Sequence, residues 1–328
     1  MKLSILDQVP IPNGKSANEA LEATIDLAVA ADKLGFHRYW IAEHHDFTGL
    51  ASPAPDIILG IIGSKTQRIR IGSGAVLLPN YKPYQIAERY NLLATLYPGR
   101  VDLGLGRAPG GSAEASIALV DNFLEQVKNY PEKLDELLHF LNRDFPEGHL
   151  FSKVSARPIP NEQPVPWLLG TSMKSAVLAL EKGLPYVFGD FMSDADGASI
   201  VRGYFENFQE GEPKAIVAVN VICAETKEEA EKLAKSNQVW KLMQAKGDGN
   251  GKVPSITEVN DYKFTDEDLE SLRQSDYRQI IGTPDTVRKS LESLSEEYGT
   301  DELMILTITH DFAARKKSYE LIAHEFGL

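Results

Sequence analysis

Apolar residues fall along the chain in two alternating patterns. Short runs rich in Val, Ile and Leu give way to longer stretches whose apolar positions recur every three to four residues. The first pattern predicts buried strands and the second predicts helices. Strands are expected at Lys2–Leu6, Arg38–Glu43, Ile69–Leu78, Val101–Ala108, Pro166–Gly170, Pro185–Gly189, Ala215–Ala224 and Leu303–Thr307. After the first strand, Ser16 caps a helix that runs through Leu34, with Leu21, Ile25 and Ala28 on one face and Gly35 as the stop. Further helices are expected near Pro55–Ser64 and over Tyr84–Leu96, Ser172–Lys182, Ala195–Phe208, Lys227–Leu242 and Ala313–Phe326, with one or two more in Ala113–Leu141. Thr283 and Pro284 open another, as cap and first helical residue. Two stretches break the alternation. Asn142–Pro166 is rich in Pro, Asn and Gly and reads as an excursion, and Lys246–Pro254 (KGDGNGKVP) has the composition of a mobile loop.

Eight strands separated by helices imply a parallel sheet, and eight such units favour closure into a single (β/α)8 TIM barrel over residues 1–328. Insertions then lie near 142–166 and 243–275. An open doubly wound sheet is the alternative, but the barrel accounts better for eight units with strands apolar on both faces.

The 328 residues, 43% of them hydrophobic, suffice for a large core. A net charge of -13 argues against a nucleic-acid partner. No apolar run reaches the roughly 18 residues of a membrane span, and the opening MKLSILDQVP turns polar too early for a secretory signal. The single cysteine, Cys223, sits in the apolar run AIVAVNVICAE and is expected to be a buried, inert thiol. A soluble cytoplasmic protein acting on a small molecule is the expectation.

Function in a barrel gathers at the C-terminal strand ends. Those ends carry Asp7, then Glu43, His44 and His45, then Gly74 and Ala75, then Arg107, then Gly170, Thr171 and Ser172 with Ser175 one turn on, and finally His310. The turn Thr171–Ser175 opens a helix, and free N–H groups, a positive dipole end and hydroxyls suit a phosphate, with Arg107 as a charged fork. On the residues alone a plain helix cap is the commoner explanation. His44 and His45 point to opposite sides of an extended backbone, so one can face the barrel mouth and carry a proton. Adjacent histidines do not match metal-ligand spacing, and no metal is expected. GLGRAPGG (Gly104–Gly111) lacks the spacing of a dinucleotide fingerprint, so a Rossmann reading is set aside.

At these residues the sequence resembles the bacterial luciferase-like flavin monooxygenases. The segments that carry the resemblance are RYWIAEHHDF (Arg38–Phe47), GSGAVLLPNYKPYQIAE (Gly72–Glu88), YPGRVDLGLGRAPG (Tyr97–Gly110), LLGTSMKSAVLALEKGLPYVFG (Leu168–Gly189) and IIGTPDTV (Ile280–Val287), and it spans the chain. It implies an eight-stranded barrel binding FMN at its C-terminal face. Arg107, Ser172 and Ser175, with Gly170 and Thr171 beside them, would hold the phosphate. Gly74 and Ala75 match a non-prolyl cis peptide against the flavin ring, and His44 matches the catalytic histidine. Asp7, Glu43, His45 and His310 are candidates for the substrate pocket. Gly106 and Gly110 replace a cysteine and a tyrosine of luciferase, so neither light emission nor a long-chain aldehyde substrate follows. The resemblance further implies a two-component monooxygenase fed with reduced FMN by a separate flavin reductase, and a homodimer. The alternatives are hydride transfer with the deazaflavin F420, a non-catalytic flavin-binding protein, or a barrel enzyme of other chemistry holding a sugar phosphate.

Overall fold

The computed structural model describes residues 1–247, 249, 251–276 and 279–328, with only the backbone of 271 and 273–276. Among the described residues nine parallel strands form one sheet: β1 (Lys2–Asp7), β2 (Arg38–Ile41), β3 (Arg70–Leu77), β4 (Val101–Gly106), β5 (Val165–Gly170), β6 (Tyr186–Gly189), β7 (Ala215–Cys223), β8 (Gln279–Gly282) and β9 (Glu302–Leu306). Their order is β6-β5-β4-β3-β2-β1-β9-β7, and β6 also pairs with β7, so eight strands close into a barrel with helices between them. The expected (β/α)8 architecture is thus the one observed.

β8 is a strand that the periodicity did not reveal. It pairs only with the upper half of β7, Asn220–Cys223, while the lower half of β7 pairs with β6 and β9. Its four residues, QIIG, are too short to show a period. The expected eighth strand is therefore β9. The Ala113–Leu141 region folds as three helices, Ala113–Leu119, Phe123–Lys128 and Tyr130–Asn142, broken where Asn122 takes a left-handed conformation. The helix after β7 runs on to Lys246, four residues beyond expectation. In the Lys246–Pro254 stretch, residues 248 and 250 lie outside the described residues. The rest is tied down: Val253 exchanges backbone hydrogen bonds with Ile11 (3.1 Å) and Asn13 (2.8 Å), and Trp240 Nε1 donates to Gly251 O (2.8 Å).

Side chains alternate between barrel interior and helix layer along each strand. At the N-terminal end the interior holds charge. Arg38 donates to Asp102 (2.7 Å) and Glu302 (2.8 Å), Arg70 joins Asp102 (3.0 Å from Nε), Trp40 Nε1 donates to Asp102 (3.1 Å), and Ser4 donates to Glu302 (2.6 Å). The Arg38 guanidinium also lies 4.7 Å over the Trp167 ring. Above this floor Leu6, Trp40, Trp167, Ile216 and Met304 form an apolar plug that keeps water from it. A larger core, including Tyr39, Tyr90 and Tyr319, fills the space between strands and helices.

Candidate active site

A cavity of about 620 Å³ opens above the plug, at the C-terminal strand ends. Its wall brings together Gly74 and Ala75 from β3, Gly106 and Arg107 from β4, Gly170, Thr171, Ser172 and Ser175 from β5 and its turn, and His44 and Glu43 from β2. Every residue expected to bind a cofactor is therefore at one cavity, as is the expected catalytic histidine.

The peptide between Gly74 and Ala75 is cis. A Cβ on Gly74 would lie 2.6 Å from Leu6 Cδ1, and one on Gly106 would lie 3.1 Å from the Ala75 Cβ. These small residues keep one wall flat and close to backbone, as a planar ring requires. Gly110 has φ +70°, a left-handed conformation that favours glycine, and a Cβ there would displace the end of the Leu77 side chain.

The opposite rim is polar. The helix Met173–Glu181 begins at the wall; the Ser175 N–H donates to the Ser172 carbonyl (3.0 Å), while the Met173 and Lys174 N–H groups have no hydrogen-bond partner among the described residues and are left for a ligand. Ser175 Oγ accepts from the Ser172 N–H (3.3 Å), donates to the Ser172 carbonyl (2.6 Å) and meets the Tyr186 hydroxyl (2.9 Å). Ser175 therefore fixes the turn, and the cap and anion-site readings are both served by it. Arg107 is exposed at the same rim, and Lys174 adds a second cation.

Tyr130 also lines the cavity, and sequence reasoning missed it. It is 3% exposed, and its hydroxyl has no hydrogen-bond partner among the described residues. Burial raises its pKa well above the ordinary phenol value, while the Arg107 charge pulls the other way, which sets the two residues close together. Nothing marked it in the sequence, because it lies on a helix 23 positions past Arg107 rather than at a strand end.

His44 is held by its backbone, whose N–H donates to Ser52 O (2.9 Å), and its ring meets Phe47 edge-on at 5.7 Å. Nδ1 is buried and has no partner among the described residues. Burial, with a smaller push from His45, lowers its pKa from 6.5 to about 4, so the ring is neutral near pH 7. His45 turns the other way, as adjacent residues on extended backbone should, and its Nε2 lies 2.8 Å from Glu43 Oε1. Glu43 also accepts from the Leu77 N–H (3.1 Å) and the Tyr81 hydroxyl (3.0 Å). Glu43 thus joins β2, β3 and the loop beyond, with its oxygens already occupied.

Three expected pocket residues do not reach the wall. Asp7 points into the helix layer, where Arg315 (2.7 Å), the Val9 N–H (2.7 Å), Thr24 (2.8 Å) and Tyr39 all donate to it. Burial alone would raise its pKa, but Arg315 and these hydrogen bonds hold it below the usual carboxylate value. Parity gives the reason: Leu6 faces inward, so Asp7 faces out. His45 is committed to Glu43, and the His310 ring sits 3.1 Å from Asn13 O. Cys223 is buried, and burial pushes its thiol up to about 12. Among the described residues no group of three or more acidic, His or Cys side chains is placed to hold a metal, and no helix is long and apolar enough to cross a membrane.

The barrel with this cavity at its C-terminal face is that of the luciferase-like monooxygenases: that family's model matches residues 1–302, and the chain belongs to the family. It is 40% identical to the uncharacterized protein YceB of Bacillus subtilis (strain 168), over 99% of both chains. It is 34% identical to the N-acetyl-S-alkylcysteine monooxygenase of the same organism, over 98% of this chain and 97% of that one. Among solved structures, apo-MsnO8 superposes with a TM-score of 0.90 at 33% identity, covering 100% of this chain and 98% of the other.

Proposed function

We propose that this chain is the oxygenase of a two-component system, a cytoplasmic homodimer that takes reduced FMN from a separate flavin reductase and uses O2 on a small organic substrate. The observation that carries the reading is the division of the cavity into a flat small-residue wall and a cationic, hydroxyl-bearing rim, which suits a ring with a phosphate tail. When bound, the flavin supplies the redox chemistry with oxygen.

The chain's own residues bind, orient and exclude water. Gly74 and Ala75 would face the ring, and Gly170, Thr171, Ser172, Arg107 and the first-turn amides would hold the phosphate. The unpartnered Tyr130 hydroxyl is a further donor beside them. His44, neutral and with one ring nitrogen free of protein partners, can accept or pass a proton within an apolar wall. The plug below keeps solvent from the reacting face. For the dimer, Ile57, Ile61, Leu92 and Leu96 form an exposed apolar face on the helices Pro55–Lys65 and Pro83–Leu96.

Equilibrium titration with FMN, anaerobically reduced FMN and F420 tests the cofactor. Tighter binding of reduced FMN than of F420 is expected, and preference for F420 would replace oxygenation with hydride transfer. Failure of all three to bind would leave the sugar-phosphate alternative. With a reductase supplying reduced FMN, label from 18O2 should enter the product, and unlabelled product would remove O2 as the oxygen source.

A further inference from the structure

Beyond the plug, the inner face of the barrel carries a second polar group that the flavin cavity does not use. Asn220 follows Ala218, a cavity-wall residue, two positions along β7. Its registered neighbours are Gln279 on β8 and Leu306 on β9. Registered neighbours on parallel strands project to one face, so the Asn220 and Gln279 carboxamides stand side by side. The helix Lys227–Lys246 packs against both β7 and β8, and its Trp240 closes on Leu306. Asn237 precedes Trp240 by three residues, and Lys241 follows Asn237 by four, which puts both on the helix stripe turned toward these strands.

None of these groups is satisfied among the described residues. Both polar side-chain atoms of Asn220, Asn237 and Gln279 are buried without a hydrogen-bond partner. Asn220 is 2% exposed and Asn237 1%. Lys241 is half-buried, and among the described residues it forms no hydrogen bond or ion pair. Burial, with no opposing charge, lowers its pKa. The buried carboxylate on the adjoining helix Asp266–Asp276, Asp268, is already engaged by Lys246 (2.9 Å) and the Thr265 N–H (2.9 Å). Three unpaired carboxamides are rare in a folded interior, and a cation lacking a counter-ion beside them is rarer. Together they present amide and ammonium donors to a single acceptor-rich anion.

We propose that Asn220, Asn237, Gln279 and Lys241 form a subsite for the carboxylate of a small organic acid, the substrate of the adjoining flavin cavity. Two residues along a strand span roughly 7 Å. A ligand of about that reach places its acid here and its other end against the wall that includes Ala218 and Met304. The proposal rests on the flavin reading only for which end of the ligand reacts, since recognition of the acid needs no flavin.

The experiment is calorimetric titration of the flavin-free protein with N-acetyl-L-methionine and with its methyl ester. The acid should bind at least about 10-fold more tightly than the ester. Lys241→Met should bring the two to within about threefold while leaving the ester unchanged. Asn220→Leu should weaken the acid and raise the melting temperature of the free protein by about 2 °C, the signature of an amide kept for a ligand rather than for the fold. Equal affinity for acid and ester, no binding of the acid at millimolar concentration, or an acid preference that survives Lys241→Met would each overturn the proposal. Failure of FMN to bind, seen in its own titration, would sink the flavin reading and leave the anion result standing.

Discussion

The two ends of this barrel treat charge in opposite ways. At the N-terminal floor, Arg38, Asp102 and Glu302 are buried and half-buried Arg70 joins them, all paired with one another, with Trp40 and Ser4 meeting the remaining acceptors. At the C-terminal mouth, Arg107 stands exposed while the Tyr130 hydroxyl and His44 Nδ1 are buried without partners. Both ends are built from the same strands, in places only a few residues apart. A satisfied network resists change and holds shape, whereas unpaired donors cost stability and are retained where something else binds. The contrast separates scaffold from site without reference to any relative.

Substitutions at the two ends should therefore fail differently. The largest effect is expected from Asp102→Ala, which leaves the Arg38 guanidinium in the interior facing that of half-buried Arg70 with one carboxylate fewer between them. It should cost about 3–5 kcal/mol and lower the melting temperature by roughly 5–10 °C. FMN affinity of the fraction that remains folded should be unaltered, and a calorimetric scan beside a flavin titration would show whether the floor is merely structural. Next comes Arg107→Ala, expected to weaken FMN binding on the order of 10–100-fold with no change in melting temperature. A matching fall in stability would move Arg107 from site to scaffold.

Smaller effects sharpen the same line. Tyr130→Phe removes a hydroxyl that the protein leaves unpaired, so stability should hold or rise while FMN affinity falls about 3–10-fold. A destabilised variant that binds FMN normally would show that the hydroxyl serves the fold. The smallest effect is in the pH dependence of stability. The folded pKa of His44 is lowered from 6.5 to about 4, so between these values the unfolded chain binds more protons than the folded one. Its contribution is fully present above pH 6.5 and is lost as pH falls toward 4. His44→Gln should flatten the melting temperature across that window relative to wild type, and identical slopes would mean that the ring is not held neutral by burial.

Much of this was legible in the chain because barrels repeat. Alternating periods gave eight strands, and the strand ends gave His44, Gly74, Ala75, Arg107 and the Thr171–Ser175 turn. What escaped lacked a local signal. β8 is four residues long and pairs only with the top of β7. Tyr130 and Lys241 lie on helices, where an aromatic ring or a lysine reads as ordinary core or surface. Asp7 was assigned to the mouth by its place in the sequence, although the parity of β1, with Leu6 inward, sends it to Arg315. His310 was placed by its strand, but its bond to Asn13 depends on a loop remote in sequence.

The parallel pairing of β7 with β8 closes a loop of a different kind. The chain leaves β7 after Cys223 and returns at Gln279, which lies across the strand pair from Asn220. Everything between them is a cassette whose ends already meet. It can lengthen, shorten or be replaced from a related protein without altering how the eight strands join. Because that cassette carries Asn237, Trp240 and Lys241, exchanging it would change the groups beside β7 and β8 while the cavity wall on β3, β4 and β5 stays as it is. If the proposed acid subsite holds, one barrel is re-addressed to a new substrate by a single transplant.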